Sequence, residues 1–180
     1  MGEKKIVVDK LRFEYEGLFK FGEVYKMIIQ WINDKGYDRN EKYSHEKVTK
    51  TGKYVEIEMQ PSKAFTDYVK GEIRVHIFAE NLVEKDIVMD NKKMRMNHGK
   101  FKVVIDAFLN TDYEGKWEMN PTYYFLKTVF EKFAFPSELG KYEQKVVDEA
   151  SDLHKEIKGF LNLYRVGYAQ SAPAGPNTQF

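Results

Sequence analysis

Leu11, Phe13 and Tyr15 alternate with Lys10, Arg12, Glu14 and Glu16, a period of two that predicts a strand with one wet face, closed at Gly17. From Phe21 the period changes. Phe21, Val24, Tyr25, Ile28 and Ile32 fall on one helical face with Trp31 at its edge, and Lys35-Gly36 supplies the stop. A run of strands follows. Residues 43–50 carry the faintest signal; Thr51-Gly52-Lys53 reads as a turn; Val55, Ile57 and Met59 alternate with Glu56 and Glu58 up to Pro61. Ile73, Val75 and Ile77 mark a strand over about 69–79, and another is expected over 82–89, ending at the turn signal Asp90-Asn91. Phe101, Val103, Ile105, Ala107 and Leu109 form the strongest strand, and Val104 and Phe108 make its opposite face apolar as well. A last short strand is expected at 115–119.

Helical period returns at 122–134, where Phe125, Leu126, Val129, Phe130 and Phe133 share a face, and Pro136 breaks the run. Ser137 is the expected N-cap of a long helix. Leu139, Tyr142, Val146, Ala150, Leu153, Ile157, Phe160 and Tyr164 step by threes and fours, while six acids and five bases over 138–165 populate the other faces. A sheet with one apolar face has to cover it, and this amphipathic helix is the natural cover. The pattern therefore predicts an α+β fold. Its curved antiparallel sheet has about six or seven strands, with an N-terminal helix and a long C-terminal helix packed across it. A single domain is expected over 1–169, with a disordered tail over 170–180 that has no charge and two prolines.

In element order and spacing over residues 6–165 the chain resembles the helix-grip architecture of the START and Bet v 1-like superfamily, without a diagnostic motif. The helix at 122–134 is extra to that pattern, and no clear glycine-rich loop joins the strands at 43–60. The resemblance implies a sheet gripping the C-terminal helix over a cavity for a hydrophobic small molecule or lipid. Aromatics cluster at Trp117, Tyr123, Tyr124, Phe125, Phe130, Phe133 and Phe135; of these, Trp117, Tyr124 and Phe130, joined by Tyr142, are the ligand contacts the resemblance implies.

Composition narrows the field further. With 29 Lys+Arg against 28 Asp+Glu in 180 residues the formal charge is +1, so no global field steers the chain to nucleic acid or an acidic membrane. The absence of cysteine excludes disulfides, thiolate metal sites and cysteine nucleophiles. No apolar run reaches the roughly 20 residues of a membrane helix. The N-terminus Met1-Gly2-Glu3-Lys4-Lys5-Ile6 lacks a secretory apolar segment and fails the myristoylation pattern at Ile6. The expected location is cytoplasmic.

Catalytic signatures are not assembled by spacing. None of His45, His76, His98 and His154 has a second ligand at metal-binding distance in sequence, and no cofactor or phosphate loop is present. His76 is expected on the polar face of its strand, and His98 in a turn before Gly99. Asp106, between Val104 and Phe108, is either a buried acid–base group or, as favoured, the partner of a Lys or Arg on a neighbouring strand. Residues 91–102 hold five bases and no acid, interleaved with Met and Phe, and read as a solvated hairpin. Three functions follow in order of preference. The first is a non-enzymatic binding domain for a hydrophobic small molecule or lipid. The alternative is a protein-interaction or scaffold module with a filled core, whose two-sided apolar strand at 101–109 a homodimer would cover. The last is an enzyme of cyclase or hydratase type using Asp106 with a tyrosine.

Overall fold

The computed structural model describes residues 3–89, 92–113 and 135–171. In chain order the elements are β1 (Glu3–Phe19), α1 (Phe21–Asp34), β2 (Glu41–Thr49), β3 (Gly52–Met59), β4 (Ser62–Ala64), β5 (Val69–Met89), β6 (Lys92–Thr111) and α2 (Phe135–Ser171). The strands make one antiparallel sheet in the order β1-β6-β5-β3-β2, with β4 added on β5; it is curved and does not close. The long C-terminal helix lies across it as the hydrophobic stripe requires. The strand expected at 115–119 and the helix expected at 122–134 lie outside the described residues.

The core has a simple origin. Alternate residues of the central strands turn inward (Val55, Ile57 and Met59 of β3, Ile73 to Ala79 of β5, Phe101 to Leu109 of β6) and meet Val146, Ala150, Leu153, Ile157 and Leu161 of α2. All five of these α2 side chains are fully buried. Helix and sheet approach closest at Gly71, where a Cβ would stand 2.9 Å from Val146 and 2.8 Å from Phe65. Any larger residue there would push the helix away. Val24, Ile28, Trp31 and Ile32 place α1 in the same core, with Trp31 fully part of it rather than at its edge. The helix ends as expected: Gly36, at φ 71°, allows Tyr37 N–H to return to the Ile32 carbonyl at 3.0 Å.

Several boundaries differ from the pattern-based reading. β1 does not close at Gly17 but runs on to Phe19, and it begins at Glu3, where both faces are exposed and no alternation betrays it. Residues 69–79 and 82–89 are one strand, β5, interrupted by a bulge between Glu80 and Val83 with Asn81 in the left-handed region at φ 53°. His98 is not in a turn: it sits inside β6, paired with Leu18 and Val83, and the basic segment 91–102 forms the first half of that strand. α2 starts at Phe135, so Ser137 lies within its first turn and not at its cap, while Pro136 is tolerated because a first-turn amide has no helical acceptor. The helix continues to Ser171, and residues 172–180 lie outside the described residues.

β5 and β6 pair continuously from Val69↔Thr111 to Met89↔Lys92, yet their neighbours stop short. β3 leaves β5 at Leu82 and β1 leaves β6 at Asn97. Beyond those points the hairpin is a two-stranded arm.

On the outer face of β5 and β6 basic side chains lie over Phe108 and Phe78. Lys4 lies 4.2 Å over the Phe108 ring and Arg74 lies 5.7 Å over the same ring, while Lys102 and His76 lie over Phe78. Long basic side chains thus lay their apolar stems over the second apolar face.

Candidate functional site

Asp106 is 4% exposed, and both its carboxylate oxygens accept hydrogen bonds. It faces Arg74 directly across β5–β6 and accepts from Arg74 Nε at 3.0 Å and an Arg74 terminal nitrogen at 2.6 Å through one oxygen. Its other oxygen accepts the Lys10 backbone N–H at 2.8 Å. Lys10 has φ 51° and stands at the break in register between Val8 and Leu11, so the carboxylate satisfies the amide that the β1 bulge leaves without a ladder partner. The bond to Asp106 raises the Arg74 pKa above its ordinary value. This is the cross-strand ion pair favoured from the sequence. Among the described residues no tyrosine bonds to Asp106.

The histidines are dispersed. His45 is exposed beside Tyr43 on β2. His76 is half-buried, 2.9 Å from Glu56 and against Phe78, so it is partnered where solvent exposure was expected. Tyr54 donates to the same Glu56 at 2.9 Å; burial first and this bond second push its hydroxyl up to about 12, and the bond holds Glu56 below the usual carboxylate range. His154 of α2 stands 3.2 Å from the Arg12 carbonyl and edge-on to Phe13, tying helix to β1. Among the described residues no group of three His, Asp or Glu side chains is placed to share a metal ion.

Of the four expected ligand contacts, Trp117, Tyr124 and Phe130 lie outside the described residues. Tyr142 is half-buried and stacks on Phe65 at 5.3 Å, beside the tight Gly71 contact, so at that point helix and sheet are in direct packing.

The two helices are joined by aromatic donors on carboxylates. Trp31 Nε1 donates to Asp152 at 3.0 Å, Tyr37 to Glu149 at 2.6 Å, and Tyr164 to Glu23. Burial and then the bonded carboxylate raise both tyrosine hydroxyls above their ordinary value. The last of these bonds fixes the turn of α2 that carries Arg165.

Next to that turn the sheet and the helix part, and a cleft of about 540 Å³ opens between them. Tyr15, Glu16, Gly17 and Leu18 of β1, Lys85 and Ile87 of the arm, His98 of β6 and Arg165 of α2 line it. Tyr15 is anchored from below: its ring stands edge-on to Phe19, which meets Phe101 in the core, and its hydroxyl donates to the Leu18 carbonyl at 3.0 Å. Burial raises the Tyr15 pKa, and the positive charge of Arg165 acts against that rise. Leu18 is buried and Ile87 half-buried, so the lining combines an apolar strip with cationic groups. Among the described residues, no hydrogen bond or ion pair engages the side chains of Lys85, His98 or Arg165.

None of these lining residues was singled out as a ligand contact from sequence. They come from segments up to about 150 positions apart and share no periodicity; the one signal was the acid-free run at 91–102, which contains His98. A second cleft, of about 430 Å³, lies among His45, Lys47, Thr49, Thr51, Tyr54, Glu80 and Asn81 and is more open. No helix among the described residues is long and apolar enough to cross a membrane. Neither a protein-family model nor a curated protein matches this chain in sequence.

Proposed function

We propose that the chain is a non-enzymatic binding domain for an apolar or amphipathic small molecule, such as a lipid, held between the sheet and the C-terminal helix as the helix-grip resemblance implies. The seat of binding is the cleft where α2 leaves the sheet, not the middle of the helix. The observation that carries this reading is the cleft itself: about 540 Å³, within the range of roughly 300–1,000 Å³ for small-molecule sites, with Tyr15, Leu18 and Ile87 as apolar lining. Leu153 and Ile157 are wholly buried against the sheet, and the cleft opens further along the helix, at Arg165. Trp117, Tyr124, Phe130 and Tyr142 stay in the proposal on the resemblance alone; Tyr142 stacks on Phe65, away from this cleft's lining.

Titration with Nile red, an uncharged dye that brightens in apolar sites, tests the reading. Wild-type protein should bind it saturably, and Ile87→Glu should weaken binding at least tenfold with an unchanged melting temperature. No binding by the wild type, or equal binding by the variant, refutes the assignment.

A protein-interaction module is the second reading. Leu163 and Val166, three positions apart on α2, are 71% and 54% exposed and share a face that no described element covers. Light scattering addresses its homodimer form: a strict monomer at all concentrations eliminates it.

A further inference from the structure

We infer that the cleft at the end of α2 selects amphiphiles with an anionic head, a carboxylate or a phosphate monoester, which Lys85, His98 and Arg165 receive while the tail lies along Leu18 and Ile87. The inference rests on the binding reading above and adds the charge of the ligand to it.

The argument begins with the charges nearby that are already satisfied. Arg95 stands 3.5 Å from Glu84 and 3.4 Å from Asp86. Lys100 and Lys102 both reach Glu14, and Lys20 reaches Glu23. Around the cleft, then, cations find carboxylates on their own surface. The cleft is the exception, and strand alternation explains it. In Glu84-Lys85-Asp86-Ile87 the two acids share one face of the arm with their partner Arg95, which turns Lys85 and Ile87 to the other face, with Met94 and Met96 directly across from them. Lys85 is thereby separated from the acids on either side of it. Arg165 arrives from a different element, held by the Tyr164–Glu23 bond one residue earlier.

Among the described residues one carboxylate lines the cleft, Glu16, exposed and directly across the ladder from Lys100. Lys85 and Arg165 leave a positive excess over it even with His98 neutral. A guanidinium presents paired donors that fit a carboxylate or phosphate, and charge-assisted hydrogen bonds of this kind exceed neutral ones in strength. Leu18 and Ile87 lie beside these donors, so the same cleft accepts a charged head and an apolar continuation. An uncharged ligand of the same shape would gain only the apolar part, and a cationic one would meet repulsion.

The test is displacement of bound Nile red from the full chain at neutral pH and low ionic strength. The competitors are four molecules with one tail: dodecanoate, dodecyl phosphate, dodecan-1-ol and dodecyltrimethylammonium, all below their micelle concentrations. Wild-type protein should release the dye at tenfold or more lower concentration of either anion than of the alcohol, and the cation should compete worst. Whichever anion competes better identifies the head group. Lys85→Gln with Arg165→Gln should bring the anions to within about twofold of the alcohol, whose own competition stays unchanged. Both positions are exposed, so the double variant should keep the wild-type melting temperature. Equal competition by alcohol and anions, or an anion preference that survives in the double variant, overturns the inference and leaves the binding reading standing. Failure of wild-type protein to bind Nile red overturns both.

Discussion

The two halves of the β5–β6 hairpin are built by the same ladder and live in different surroundings. From Val69 to Ala79 and from Phe101 to Thr111 the hairpin is flanked by β1 and β3, roofed by α2 on one face and by basic side chains on the other. From Val83 to Met89 and from Lys92 to Met96 it pairs, among the described residues, only with itself, and most of its described side chains are exposed. The ladder between β5 and β6 is common to both halves, but only the covered half is also paired along its outer edges, to β1, β3 and β4. Burial separates the two further, because net hydrogen-bond contributions are small and apolar burial supplies most of the stabilisation. An isolated two-stranded ribbon is only marginally stable in water, whereas a ladder covered on both faces opens with the whole protein. Native-state hydrogen exchange should therefore divide the hairpin near Asn81.

The largest disturbance to this contrast should come from Leu153→Ala, which removes a fully buried α2 side chain over the covered half. Its expected cost is about 2–5 kcal/mol by urea denaturation, with exchange accelerated in the covered half and unchanged in the arm. A cost below about 1 kcal/mol would mean that α2 does not hold the sheet as described. Asp106→Ala comes next. It leaves the Lys10 amide and Arg74 without their acceptor and should cost about 1–3 kcal/mol, at the lower end because Arg74 is partly solvated. Specific loss of protection at Lys10 would identify the bulge as the part released.

A smaller effect is expected in acid. The Asp152 carboxyl is held below its ordinary value, chiefly by the bond from Lys35 and next by the Trp31 indole. A depressed carboxylate contributes stability above its unfolded pKa and loses that contribution as pH falls through the folded one. Stability should therefore decline below the ordinary Asp range, and Asp152→Asn should flatten that decline. As the side chain is 42% exposed, the difference at neutral pH should stay under about 1 kcal/mol. The smallest effect should be Val88→Thr on the arm, within about 0.5 kcal/mol of wild type, because Val88 is already largely in water. A loss of more than 1 kcal/mol there would show that something covers the arm in solution.

The same contrast sets what could be read in advance. Covered elements announce themselves through period: the stripe from Leu139 to Tyr164, the alternation at 55–59 and 101–109, and the helix ending at Gly36 all follow from one buried face. Uncovered strands do not. The first residues of β1 are a strand because a neighbour supplies the ladder, and with both faces wet their sequence carries no alternation to find. At the start of β6 the one short alternation, Met94 and Met96 with Lys93 and Arg95, is set in a basic run that reads as a hairpin. The bulge at Asn81 was mistaken for a break between two strands for a related reason, since a polar residue in the left-handed region looks like a turn. The Arg74–Asp106 pair was foreseeable as a type but not as a pair, because register is not written locally. The cleft was not foreseeable at all: it exists where four elements stop covering one another.

Among the described residues the arm joins the ladders of the rest of the sheet only at its root, so its length is decoupled from the core. Adding or removing residues two at a time, one from each strand, would move its tip by a single rung and preserve every pairing behind it. A change in one strand alone would leave a residue unpaired, and one placed in β5 before Glu84 would also turn the lining side chains Lys85 and Ile87 away from the cleft, exchanging them with Glu84 and Asp86. Reach can thus be varied freely in this protein, but only in whole rungs, and a single insertion between Leu82 and Lys85 would reverse the sign of the surface the cleft presents.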